Sequence, residues 1–339
     1  MEEAPQTASP REARWSRLEP RRSLDPDLGR NMLACAFPGT GVRAFEPLSG
    51  GYRNANFKVH LDSPSLPVVV LRIYEHDASL CRKEVDLMRL VARKVPVPEV
   101  LFANFAKADL APFAILGFVD GISLRELKRA GNRDAMAQAS QAAGALLAAV
   151  GSFTFSKSGW LSAGLSVTAP LLEGADPLPR FVDLCLESPH LQRRVAPKVR
   201  SRVHELVWSW AARLRELDCE KSLVHCDFGL RNLLVREEKG RWRVAALLDW
   251  EFAVSGSPLI DVAHFLRYEL KGRPLLEPHF SRGFQEAGGV LPPDWRQLSR
   301  IIDLSALVDT LVRAELPADV EKEIVELIHA TVEERDPQL

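Results

Sequence analysis

One stretch constrains this chain more than any other: Leu223-Val-His-Cys-Asp-Phe-Gly-Leu-Arg-Asn-Leu-Leu-Val235. Three polar side chains, His225, Asp227 and Asn232, are set between short apolar runs. A second apolar run, residues 244–248, ends in Asp249-Trp250-Glu251. Runs of this length and composition read as short buried strands. The two strands over residues 233–235 and 244–248 then form a hairpin. That hairpin brings Asn232 and Asp249 to one end of the strand pair, beside the loop that carries Asp227.

The rest of the chain divides around this segment. Residues 1–40 are read as a partly disordered N-terminal tail, rich in Glu, Arg, Pro and Ser at its start. Residues 41–120 are strand-rich. Strands are expected over residues 42–48, 56–61, 68–74, 99–105 and 113–119. The run Val68-Val-Val-Leu-Arg-Ile-Tyr74 is nearly continuous in apolar, mostly β-branched residues, as in a strand buried on both faces. A helix over residues 79–93 places Glu84 on its apolar stripe, four residues from both Leu80 and Met88. An inward carboxylate needs a partner, and Arg72 in the buried strand is the candidate. Residues 121–339 read as mainly helical, with helices over 134–150, 199–217 and 318–334. Strands first and helices second point to an α+β chain with a sheet-rich N-lobe and a helical C-lobe.

The polar set suits phosphoryl transfer to a hydroxyl. Asp227 can take the hydroxyl proton, and Asn232 and Asp249 can offer hard oxygen ligands to Mg²⁺. The segment His225-x-Asp227 with Asn232, the following Leu-Leu-Asp-Trp-Glu and the downstream Pro258-Leu-Ile-Asp261 resemble the aminoglycoside phosphotransferase / choline kinase family, from about residue 44 to about residue 330. The resemblance implies a two-lobed protein-kinase-like fold. It implies a small-molecule kinase using ATP or GTP with Mg²⁺, with Asp227 as base, Asn232 and Asp249 as metal ligands, and Asp261 as a brace of the catalytic loop.

Asp227-Phe-Gly229 also spells the metal-binding signature of protein kinases. In that reading an HxD segment belongs about 20 residues upstream, and residues 195–220 hold only His204. Asp227 therefore keeps the base role. In the N-lobe, Gly50 and Gly51 between two strands, with Asn54 nearby, either approach phosphates or simply make a turn. Arg72 stands where protein kinases place a lysine, with Glu84 as its partner; it either binds phosphate as a bidentate cation or braces strand to helix. Residues 114–120, with Gly117 and Val119, are the expected hinge whose backbone meets the nucleotide base. His225 is read as an organiser of the loop, Glu251 as a metal contact or a cap, and His264 as a core or edge histidine.

Composition removes other classes. A net charge of −1 argues against a nucleic-acid partner. Five scattered cysteines without a CxxC pair read as free thiols in a reducing, cytoplasmic setting. No stretch is long and apolar enough for a membrane span, and the chain has no Gly-Lys dipeptide, which excludes a P-loop. Residues 251–339 hold 16 acidic and 9 basic residues, but seven of those acids lie between Asp319 and Asp336. That is no polycation trap, so the small hydroxylated acceptor is left open, as is the oligomeric state. A catalytically silent nucleotide-binding module on the same fold is the alternative.

Overall fold

The structure, a computed structural model, describes residues 24–48, 54–75, 77–105, 110–270 and 274–333. The expected sites at Gly50 and Gly51 lie outside these residues. The first half contains α1 (Pro26–Ala34), β1 (Val42–Pro47), β2 (Ala55–Leu61), β3 (Val68–Ile73), α2 (Ala78–Val91), β4 (Val100–Asn104) and β5 (Phe113–Gly117). The five strands form one antiparallel sheet in the order β1-β2-β3-β5-β4.

Side chains of β5 alternate between the two faces of this sheet. Phe113 and Ile115 join Met32 and Leu33 of α1 and Phe57 and Val59 of β2 in one core. Ala114 and Leu116 join Val85 and Met88 of α2 in the other. The sheet is thus covered on both faces, which is why its central strands read as continuous apolar runs rather than alternating ones. Helix α1 falls within the stretch expected as a tail. It starts at an Asp25 cap with Pro26 following and buries Met32 and Leu33 against the sheet.

Beyond β5 come β6 (Ile122–Ser123), α3 (Leu124–Arg129), α4 (Arg133–Gly151), β7 (Gly159–Leu161), β8 (Val167–Ala169), α5 (Pro177–Glu187), α6 (Pro189–Arg194), α7 (Pro197–Ser209) and α8 (Ala211–Leu217). Then follow β9 (Ser222–Val224), β10 (Leu233–Glu238), β11 (Arg241–Leu247), β12 (Val254–Gly256), α9 (Leu259–Leu266), α10 (His279–Glu286), α11 (Trp295–Leu311) and α12 (Ala318–Glu333). The helix expected over residues 199–217 is two helices. Trp210, at φ −104° and ψ 6°, leaves helical geometry and starts a new axis, although the apolar stripe runs on through it.

Helices α4 and α10 cross at glycines. A Cβ on Gly283 would lie 2.0 Å from the Gln141 carbonyl oxygen, and one on Gly144 would lie 2.0 Å from the Phe280 carbonyl oxygen. Only hydrogen fits at either position. Gly283→Val is expected to push the helices apart and destabilise the fold by about 3 kcal/mol, measured by urea unfolding; an unchanged midpoint would refute the close crossing.

Two antiparallel pairs frame the site. β9 pairs with β12, Val224 opposite Val254, and β10 pairs with β11, Leu233 opposite Leu247. The chain leaves β9 into the 225–232 loop and enters β10. It returns along β11, passes through 248–253 and enters β12. The two loops therefore lie side by side, pinned at both ends.

Candidate active site

The first loop is held from below by α9. Asp261, fully buried, accepts the backbone N–H of His225 at 2.6 Å and that of Cys226 at 2.8 Å. These two bonds stabilise a strained turn, since Cys226 takes a left-handed φ of +61°. His225 sits in the interior, with its Nε2 3.0 Å from the Leu248 carbonyl and its Nδ1 accepting from the Asp227 N–H at 3.2 Å. Its ring packs edge-on against Trp250. The histidine thus links the first loop to the second through its ring, the contact pattern of an organiser.

Asn232 closes the same loop. Its side-chain amide donates to the Asp227 carbonyl at 3.0 Å, while its own carbonyl accepts from the Leu248 N–H at 2.9 Å. The Asp227 backbone is fixed on both sides, and its side chain is 14% exposed. His264 Nε2 is 3.7 Å from Asp227 Oδ1.

The second loop is gripped from the N-terminal half. Asp249 has a left-handed φ of +69°, and its Oδ1 accepts from Arg72 at 2.6 Å. Arg72 also donates to Glu84 at 2.9 Å and to Asn56 at 3.3 Å. The expected Arg72–Glu84 pair therefore forms, with a third partner that links it to the far loop. Burial alone would pull the Arg72 guanidinium down, but Glu84 and Asp249 outweigh it and hold the group charged. Burial pushes the Glu84 carboxyl up, and Arg72 works against that shift. Glu84 has two further donors: the Tyr74 hydroxyl at 2.5 Å and the Trp250 N–H at 3.1 Å.

Two contacts escaped sequence reasoning. Lys83, beside Glu84 on α2, is buried and donates to the Glu251 carbonyl at 3.0 Å. The Asn54 side chain, expected at phosphate, donates to the Glu251 carboxylate at 3.0 Å. Both residues are almost fully buried, as is Glu251. Residues 249–251 are thus held one after another by Arg72, Glu84, Lys83 and Asn54. Neither contact has a local signal: Lys83 lies 168 residues from its partner and Asn54 lies 197.

Burial, only partly opposed by nearby Cys226 and Glu251, lowers the Lys83 ammonium from 10.5 to about 8. A lysine with a lowered folded pKa strains the fold while protonated. That strain is fully present below about pH 8 and is relieved as pH rises toward about 10.5. Lys83→Met is therefore expected to gain stability relative to the native chain near pH 7 and to lose that relative gain by pH 10. Urea unfolding of both proteins at the two pH values tests this; a constant difference would refute it.

At the expected hinge, Gly117 ends β5 and its N–H is taken by the Glu99 carbonyl at 2.8 Å. Val119 lies just past the strand, half-buried, where the chain crosses to β6. Among the described residues, no cluster of three or more His, Cys, Asp or Glu side chains forms a metal cage. The donors present, one carboxylate and one amide oxygen, instead fit Mg²⁺, which takes one or two protein oxygens and completes its shell from phosphate and water. With the amide nitrogen of Asn232 spent on Asp227, its oxygen is the atom left to serve as ligand.

A five-stranded sheet joined to its helix α2 by an Arg–Glu pair between β3 and α2, over a helical region with an HxD loop and an Asp-bearing turn, is the architecture of kinase-like phosphotransferases. Residues 44–301 match the model of the Phosphotransferase enzyme family, and the chain belongs to that family. Among solved structures, it is similar to a thermostable mutant of aminoglycoside phosphotransferase APH(4)-Ia in ternary complex with ADP and hygromycin B. The TM-score is 0.65 at 20% identity, over 89% of this chain and 97% of that one. It is also similar to the GDP complex of aminoglycoside 2'-phosphotransferase-IIIa, with a TM-score of 0.65 at 18% identity, over 90% and 97% of the two chains. At these identities the likeness shows the fold.

Among curated proteins, acyl-CoA dehydrogenase family member 11 of Rattus norvegicus is 39% identical over 85 residues, 24% of this chain and 10% of that protein. The Homo sapiens protein of the same name is 44% identical over 52 residues, 15% of this chain and 6% of that protein. The chain thus spans a tenth or less of the curated relatives it matches. No helix among the described residues is long and apolar enough to cross a membrane.

Proposed function

We propose that this protein moves the γ-phosphoryl group of ATP or GTP to a hydroxyl of a small molecule, in a Mg²⁺-dependent reaction. The observation that supports it most is the convergence of Asp227, Asn232 and Asp249 on two adjacent pinned loops, with Arg72 reaching across to Asp249. Asp227 would accept the hydroxyl proton. Asn232 and Asp249 would hold Mg²⁺, which when bound neutralises charge on the phosphates. Arg72, kept charged by its carboxylate partners, would meet the phosphates, with Glu84 fixing its direction. Gly117 and Val119 would border the base, and residues 50, 51 and 54 would lie near the phosphates. There is little covalent work here for the protein, so catalysis is positioning and charge stabilisation.

The domain reading follows: residues 41–120 would serve the nucleotide and residues 121–339 the acceptor. The ligands of the structural neighbours, ADP with hygromycin B and GDP, support a nucleotide donor and a hydroxylated acceptor. The test is Mg²⁺-dependent consumption of ATP and GTP by purified protein. It would be run with and without pools of aminoglycosides, sugars, amino alcohols, macrolides and hydroxyacyl compounds. Stimulation by one pool, with transfer of phosphate onto it, is the expected result. Nucleotide binding without turnover in any pool would favour a silent module.

A further inference from the structure

Helix α2 is gripped on two of its faces. Glu84 turns toward the second loop, where it accepts the Trp250 N–H at 3.1 Å and the Arg72 guanidinium at 2.9 Å. Asp86, two residues on, points away from that face, since helix positions i and i+2 are not neighbours. Its Oδ2 accepts the backbone N–H of Gly164 at 2.9 Å. Asp86 is also paired with Arg82, one turn back, at 3.0 Å, and its side chain is 15% exposed.

Gly164 lies in the turn that joins β7 to β8. That turn is held by its own bonds. Ser162 donates its N–H to the Ser166 carbonyl at 3.0 Å, and Leu165 donates to the Ser162 carbonyl at 3.1 Å. Gly164 and Leu165 both take left-handed φ values, +74° and +60°. A leucine rarely adopts that conformation, which persists where the surroundings impose it. The turn is therefore a shaped post rather than a loose tip. β7 in turn pairs with β12, Trp160 opposite Val254, and β12 is where the 248–253 loop ends. A closed circuit results. It runs from Asp249 through Arg72 and Glu84 into α2, out through Asp86 and Gly164 to β7, and back through β12 to the loop that carries Asp249.

We propose that Asp86 is a positioning residue for Arg72, Glu84 and Asp249, a role that rests on these groups serving nucleotide and Mg²⁺. A helix held on one face can roll about its axis. Roll of α2 would carry Glu84, and Arg72 with it, away from Asp249. Lys83 reaches the same 249–251 segment as Glu84; Asp86 adds an anchor on a separate element. The Gly164 contact opposes the roll from a different face, and it is made to backbone that is itself fixed. The ion pair with Arg82 cannot do this, because both partners lie on α2 and move together.

The experiment uses the full chain and needs no identified acceptor. Equilibrium binding of ATP and GTP, with and without Mg²⁺, is measured for the native protein, Asp86→Ala, Asp86→Asn and Arg82→Met. Amide exchange at Trp250 is followed in each ligand-free protein. Asparagine keeps an oxygen for the Gly164 N–H and loses the ion pair; methionine at 82 loses the ion pair alone. Asp86→Ala is expected to weaken Mg²⁺-dependent nucleotide binding about tenfold, the scale of removing a residue that orients a ligand group, with faster exchange at Trp250. Asp86→Asn and Arg82→Met should stay within about twofold of native on both counts, as for loss of a partly exposed ion pair. Asp86→Ser, too short to reach Gly164, carries the same expectation as alanine should the alanine variant fold poorly. Native-like binding and exchange in Asp86→Ala overturn the proposal. So does an equal loss in Asp86→Asn or Arg82→Met, which would put the effect in the ion pair. Faster exchange spread evenly over the whole chain would be general loosening and overturns it too. A native protein that binds nucleotide equally with and without Mg²⁺ instead overturns the metal reading of Asp249 beneath it.

Discussion

Asp227→Asn will lower phosphoryl transfer by about a thousandfold or more while nucleotide affinity stays within about threefold, on the scale of removing a positioned general base. The substitution is nearly isosteric, and the bonds that shape the loop survive it. His225 Nδ1 accepts from the Asp227 backbone N–H, and Asn232 donates to the Asp227 carbonyl. Neither involves the carboxylate. Arg72, Glu84 and Asp249, the charged groups on the proposed phosphate side, bond to one another and not to Asp227. An amide at 227 keeps the shape and loses the basic oxygen, so the loss falls on kcat. Equilibrium binding of ATP and GTP, measured beside single-turnover transfer, separates the two effects. Undiminished transfer by the variant would end the assignment of Asp227 as base.

The parts of the molecule legible in sequence were those in which a local pattern carries the constraint. The run from Val68 to Tyr74 and the strand at Phe113 read as buried because their sheet is covered by α1 on one face and α2 on the other. The pairing of Arg72 with Glu84 followed from an inward carboxylate that needed a cation, and the two meet at 2.9 Å. The grouping of Asp227, Asn232 and Asp249 followed from spacing around a hairpin.

What was not legible lies in long-range partnerships and in very short elements. β7, β8, β9 and β12 have three residues each, too few to show alternation, so the sheet they form was read as helical territory. Lys83 looks like any surface lysine on an amphipathic helix until its partner, Glu251, is placed. Asn54 reads only as a residue beside a glycine turn, and nothing near it in the chain points to the Glu251 carboxylate that its amide meets.

The other large effect is expected on stability, at the ion pair beneath the site. Arg267 and Asp303 are both nearly buried, and Asp303 accepts from Arg267 at 2.6, 2.9 and 3.0 Å. Burial works to lower the Arg267 guanidinium, and Asp303 more than reverses that. The pair joins the segment after α9 to α11, whose residues are mostly core. Arg267→Met removes the cation and leaves a carboxylate enclosed, so the chain should lose roughly 3–5 kcal/mol. The double variant Arg267→Met with Asp303→Leu should recover most of that loss, because no charge is then left without its counterpart. The cost is thus the orphaned charge rather than the net worth of the pair. Since α9 carries both Asp261 and His264, the single variant should also loosen the 225–232 loop, read as faster amide exchange at His225 and Cys226. Urea unfolding of the two variants decides the matter. A single variant as stable as the native chain would mean that Asp303 finds water or another donor. A double variant no better than the single would mean that the pair's geometry, and not its charge balance, holds α9 against α11.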